Sequence, residues 1–174
     1  MMFGPGEIDH TRNAFQAAEK LAGRYFGLPS GAWKDHRYDV KTLAHLRDHE
    51  VNETVFAQLC KYEYGTAKVP DSAAGLHFYR ICLQDNRILD AIRRGTSFIR
   101  FGPLMLYIAA HELIHIVRFD RGQCSFDMPV EERRREEERV HGITRQVLKP
   151  ASSSELDLVL ECFSDDYLIE GMSN

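Results

Sequence analysis

The chain has 174 residues, a net charge of −4, 44% hydrophobic residues and 28% charged ones. This length suits one domain with a buried core, and the composition is that of an ordinary soluble globular protein. The basic residues are interleaved with acids rather than gathered into a stripe, which argues against nucleic acid as a partner.

The first expected helix covers about Asp9 to Tyr25, with Phe15, Ala18, Leu21, Ala22 and Tyr25 at helical spacing and Gly27 and Pro29 ending it. A polar loop around Ser30 to Asp35 follows, then helical stretches at about Val40–Asp48 and Asn52–Tyr62. Gly65, Pro70, Asp71, Ser72 and Gly75 mark Tyr64 to Gly75 as a loop. Leu76 to Leu83, rich in aromatic and β-branched residues, reads as a strand. A turn at Asp85-Asn86 precedes a short helix from Arg87 to Arg94, and Ser97–Arg100 reads as a second short strand. A long apolar helix then opens at Phe101-Gly102-Pro103, with Pro103 in the tolerated first turn, and ends near Arg118 to Gly122. A loop through Pro129 leads to a charged helix, Val130 to Leu148, stopped by Lys149-Pro150. After the serines at 152–154, Glu155 to Ile169 reads as an acidic amphipathic helix. The expected organisation is one domain over 1–150 and a C-terminal helical tail over 151–174, a candidate to pack on it.

Cys60, Cys82, Cys124 and Cys162 are scattered, with no CxxC pair. The first residues lack the basic and apolar regions of a signal peptide. A reduced, cytoplasmic protein is the expectation. The most apolar run, Leu104 to Val117, is too short and too often interrupted to span a bilayer, so no membrane partner is expected.

That run holds the chemistry. Its polar exceptions are Tyr107, His111, Glu112 and His115. One helical turn places His111 and His115 one above the other, with Glu112 beside them. Three ionisable groups in a buried helix cost several kcal/mol unless they are paired or bind a metal. Two neutral imidazoles at this spacing can share one Zn²⁺, while Glu112 is too offset to ligate and faces the metal-bound water as a general base. The plain alternative is a core histidine pair held by backbone or carboxylate partners.

A catalytic zinc keeps three protein ligands and an open position. Arg121 stands six residues after His115, where the metzincin pattern has histidine. The next helix offers Glu136-Glu137-Glu138-Arg139-Val140-His141, with Val140, Ile143, Thr144 and Val147 as its buried face. Glu136 and Glu137 flank that face and Glu138 points away.

Over about residues 101–148 the chain resembles the gluzincin type of zincin metallopeptidase, in which HExxH is followed some twenty-odd residues later by a ligand glutamate on a second helix. In many of those families this glutamate begins a pattern like ExxADxxA, and Glu137, Val140, His141 and Thr144 stand at the corresponding places. The resemblance implies one zinc ion held by His111, His115 and Glu137, with Glu136 as the alternative third ligand. It also implies a zincin-like α+β fold, mostly helical with a small sheet before the HExxH helix, and a metallopeptidase acting on peptides or proteins through Glu112. His141 replaces the family's aspartate. The alternative is a non-catalytic structural or regulatory zinc protein with the same ligands.

Other residues are weighed beside these. Tyr79, Tyr107, Tyr167 and His141 are candidate oxyanion donors. The strand from His77 to Leu83 is a candidate edge for an extended substrate, or simply a core strand. Glu131–Arg135, Arg133–Glu137 and Arg134–Glu138 are spaced as surface pairs. His45 and His49 also stand four apart, but in a charged setting that reads as a solvated face. Cys124 is a candidate latency thiol over the zinc, or a structural one. The tail from Glu155 is a candidate lid.

Overall fold

The computed structural model describes residues 1–63, 76–94 and 98–163. Among the described residues five helices and three strands occur in the order α1 (Pro5–Phe26), β1 (Tyr38–Lys41), β2 (Ala57–Glu63), β3 (His77–Leu83), α2 (Asp85–Arg94), α3 (Phe101–Asp120), α4 (Val130–Leu148) and α5 (Ser154–Cys162). The fold is mixed α+β, mostly helical, with its small sheet ahead of α3.

Helix α1 begins four residues earlier than its apolar spacing indicates. Gly4 is its N-cap, Pro5 occupies the first position, and the Glu7 carboxylate accepts from the Gly4 N–H at 2.9 Å. At the other end Gly27 adopts φ 63°, and Leu28 N–H donates to Gly23 O at 2.9 Å, which closes the last turn. Helix α3 ends likewise at Gly122, φ 66°, with Gln123 N–H donating to Arg118 O at 3.0 Å.

Two expected helices are instead strands. Tyr38–Lys41 pairs in parallel with β3 from Tyr38↔Tyr79 to Lys41↔Cys82. Ala57–Glu63 pairs antiparallel with β3 from Ala57↔Leu83 to Glu63↔His77. Val40, Leu43 and Ala44, and likewise Phe56, Leu59 and Cys60, imitate helical spacing, but pairing with the apolar β3 outweighs that local pattern. Between these strands Leu43–His45 and Asp48–Glu50 form only single 3₁₀ turns. His45 and His49 therefore share no helix face, and His49 Nε2 meets the Tyr62 hydroxyl at 2.8 Å.

The sheet order is β1-β3-β2, so β3 is central and cannot serve as an edge. Its Tyr79, Ile81 and Leu83 are all buried, as period-two alternation requires. Of the second expected strand, Ser97 lies outside the described residues, and Phe98–Arg100 form no strand. The expected loop at 64–75 also lies outside the described residues.

Helix α3 runs through the middle of the molecule. Leu104, Met105, Ala109, Ala110, Leu113 and Ile116 have no exposed surface. They pack in one cluster with Ala14, Phe15 and Ala18 of α1 and with β3. From α5, Leu156, Val159 and Leu160, followed by Phe163, enter the same cluster. At the end of α3, Asp120 accepts from His77 Nε2 at 2.9 Å and from the Tyr79 hydroxyl at 3.2 Å, and lies 2.6 Å from His36 Nδ1. The C-terminus of α3 is thereby tied to the central strand.

Candidate metal centre and cleft

Tyr107, Ile108, His111, Glu112, His115 and Phe119 form one stripe along α3, at spacings of three and four. They line a cleft of about 420 Å³, together with Asn52 and Thr54–Leu59 before and along β2, Arg87 of α2, and Arg133, Glu136 and Glu137 of α4. The volume falls in the range of small-ligand sites.

At the cleft wall the imidazoles converge on α4. His111 Nε2 lies 2.9 Å from Glu137 Oε2, His115 Nε2 lies 3.0 Å from Glu137 Oε1, and the two Nε2 atoms are 3.2 Å apart. Among the described residues this is the group of histidines, cysteines and acids whose ligand atoms could hold a metal ion. Bonds of 2.0–2.1 Å to a tetrahedral ion put ligand atoms about 3.3–3.4 Å apart. The observed spacings fall just short of that, so a small outward shift of each group fits the donor set to Zn²⁺. The set is two nitrogens and one carboxylate, all on two rigid helices.

Burial acts to raise the Glu137 carboxyl, but the His115 and His111 rings outweigh it and hold the carboxyl well below its usual range. Glu112, next in sequence to His111, is buried, and this pushes its carboxyl up to about 8; the His111 ring opposes the shift and the Glu137 charge reinforces it. Each histidine's Nδ1 is buried with no partner among the described residues. Packing orients the rings instead: His115 stacks on Phe119, with centroids 5.9 Å apart and planes at 17°.

Glu136, the alternative third ligand, is engaged elsewhere. Arg118 binds it through Nε and through Nη2 at 3.1 Å, Arg139 Nη1 donates at 3.2 Å, and the Cys124 thiol donates at 3.3 Å. Burial alone would raise its carboxyl, but these donors, Arg118 foremost, lower it. Cys124 faces Glu136 and does not line the cleft, so it does not cap the histidines. The expected Arg133–Glu137 pair gives way to the histidines, whereas Arg134–Glu138 forms at 3.8 Å on the exposed face.

The oxyanion candidates separate. Tyr79 sits at the far end of α3 against Asp120, outside the cleft lining. Tyr167 lies outside the described residues. His141 faces Tyr107 rather than the metal cluster: Arg145 Nε donates to His141 Nε2 at 3.2 Å, so the proton is on Nδ1, which donates to the Tyr107 hydroxyl oxygen at 2.9 Å. Tyr107, one turn before His111, is the candidate tyrosine that lines the cleft. Sequence reasoning missed Arg118 and Arg87. Arg118 was legible in principle, since it follows His115 by three on the same face of a buried helix.

No protein family, curated protein or solved structure matches the chain. Among the described residues no helix is long and apolar enough to cross a membrane.

Proposed function

We propose that the protein is a zinc-dependent metallopeptidase of the glutamate-zincin type, with a zincin-like α+β fold. The observation that carries this reading is the meeting of His111 Nε2, His115 Nε2 and the Glu137 carboxylate within 3.2 Å of one another, with Glu112 beside them in an open cleft. A zinc ion bound there supplies a Lewis acid and brings the pKa of a coordinated water to about 7.

The remaining chemistry belongs to the chain. His111, His115 and Glu137 hold the ion from two helices whose relative position the core fixes. A cation held by His111, His115 and Glu137 would oppose the effect of burial and favour the ionised form of Glu112, whose carboxylate accepts the water's proton and returns it to the leaving amine. Tyr107 is placed to donate to a developing oxyanion or a substrate carbonyl. Among the described residues β2 pairs only with β3, and its Ala57, Gln58 and Leu59 line the cleft. An extended peptide would pair with that outer edge.

The decisive experiment uses the zinc-loaded protein and a quenched-fluorescent peptide pool. The native chain is expected to cleave, and Glu112→Gln is expected to keep one zinc per chain and native stability while losing cleavage by at least a hundredfold. Stoichiometric zinc with no cleavage by the native chain would establish instead a structural or regulatory zinc protein. Absence of zinc after reconstitution would remove both readings.

A further inference from the structure

The cleft lining carries an arginine that nothing in the proposed chemistry employs. Arg87 is the third residue of α2 and lines the same cleft as Glu112 and His111. It is half-buried, and its Nε is fully buried with no hydrogen-bond partner. No acid pairs with its guanidinium among the described residues. The neighbouring acids are committed: Asp85 accepts from Phe3 N–H and Leu43 N–H, both at 2.9 Å, and Asp90 pairs with Arg94 at 2.8 Å. Arg133 of α4 also lines the cleft and likewise has no ion pair among the described residues. Of the cleft's acids, Glu136 faces Arg118 and Glu137 faces the histidines, while Glu112 lies beside His111.

A buried guanidinium N–H without an acceptor is costly, and such groups are rare in folded chains. An arginine is also the side chain best shaped to hold a carboxylate through two parallel hydrogen bonds. Nothing in the fold requires Arg87 to be charged. Its neighbours in the chain, Ile88 and Gln84, already anchor α2 through apolar burial and through Gln84 hydrogen bonds to Glu50 O and Asn52 N.

We propose that Arg87, supported by Arg133, is the anchor for a carboxylate of the bound peptide, so that the cleft selects peptides with a free C-terminus or an acidic side chain. This rests on the peptidase reading for the identity of the ligand as a peptide, but not for the presence of an anion site. Binding a carboxylate would give the half-buried Arg87 guanidinium, which lines the cleft, the anionic partner it lacks among the described residues.

The test uses zinc-loaded Glu112→Gln protein, immobilised, and a pool of randomised N-acetyl pentapeptides made once as free acids and once as C-terminal amides. Retained peptides are read by mass spectrometry. Retention of the free-acid pool roughly tenfold or more above the amide pool is expected for a terminal carboxylate. Equal retention of both pools, but with strong enrichment of Asp and Glu in the amide pool, assigns a side-chain carboxylate. In either case the preference is expected to vanish in Arg87→Gln, to survive in part in Arg87→Lys, and to weaken in Arg133→Gln. Thermal midpoints of the variants establish that each is folded.

Retention without regard to carboxylates, retention of neither pool, or a preference that persists in Arg87→Gln would overturn the proposal. Parallel assays with Glu112 intact separate the two ideas. Cleavage at rates that depend neither on a free C-terminus nor on Asp or Glu in the peptide leaves the peptidase and removes the anchor. Selective retention of acids with no cleavage of either leaves the anchor and removes the peptidase.

Discussion

Arg118 grips Glu136 from three residues beyond His115, with both side chains buried, and this pair decides which carboxylate of α4 meets the histidines. Adjacent residues on a helix are about 100° apart. With Glu136 turned to Arg118, its neighbour Glu137 is left facing His111 and His115. The ion pair is thus a phase lock between α3 and α4.

Truncating Arg118 leaves the buried Glu136 carboxylate with only the exposed Arg139 and the Cys124 thiol, and removing the main partner of a buried charge typically costs about 3–5 kcal/mol. Arg118→Met is expected to lower stability by roughly that amount and zinc affinity about 10–100-fold, as when groups that orient ligands are removed. In the double variant Arg118→Met with Glu136→Leu, most of the stability should return. Denaturant melts and competitive chelator titrations measure the two effects. A double variant as unstable as the sum of the singles would show that the pair is not coupled.

This pair also shows what the sequence could and could not tell. Helix α3 was legible throughout, because a continuous apolar run with one polar stripe admits little else, and His111, Glu112 and His115 came with it. The choice between Glu136 and Glu137 was open, because one residue of helix phase is set by Arg118 across the interface and not by α4 itself. The strands β1 and β2 were misread for a similar reason. Ala57–Glu63 has no strong local preference, and its state is decided by pairing with β3, some twenty residues later. Arg87 was silent because a lone arginine among charged residues looks like surface until its unpaired Nε is located.

The two neighbouring glutamates should behave differently on metal binding. Glu137→Gln is expected to weaken zinc at least a hundredfold, because a neutral amide replaces the only anionic member of the His111-His115-Glu137 group. Glu136→Gln should retain one zinc per chain while losing stability through Arg118. Equilibrium dialysis with metal analysis separates them. Equal losses of zinc in the two variants would place the third ligand wrongly.

Metal binding should also stabilise the fold, since the site joins α3 to α4 and exists only when both are packed. Free zinc at a hundred times its dissociation constant adds about 2.7 kcal/mol to the native state. For a chain of this size that is a rise in melting midpoint of about 5–10 °C. His115→Ala, which removes one ligand, should show no such rise. Calorimetry with and without a chelator reads this independently of any hydrolysis.

Away from the cleft, Glu50 predicts an acid limb in the stability curve. Its carboxylate has no exposed surface and ties the 3₁₀ turn at Asp48–Glu50 to the sheet. It accepts from the Arg47 N–H at 2.8 Å, from the Tyr62 hydroxyl, and from Arg80 Nη1 at 3.1 Å. Burial acts to raise its carboxyl, but these donors outweigh burial and bring it down to about 2. An unfolded glutamate titrates near 4.3, roughly two units higher, so the charged form adds about 3 kcal/mol to the folded state. Because the folded value is the lower one, this contribution is complete above about pH 4.3 and disappears as pH falls towards 2. Urea melts of the metal-free protein between pH 6 and pH 2 should therefore show a decline that Glu50→Gln flattens. In that variant stability at pH 6 should be lower than native, because Arg80 loses one of its two anionic partners and keeps only Asp39. An unchanged acid limb in Glu50→Gln would assign the decline to other carboxylates.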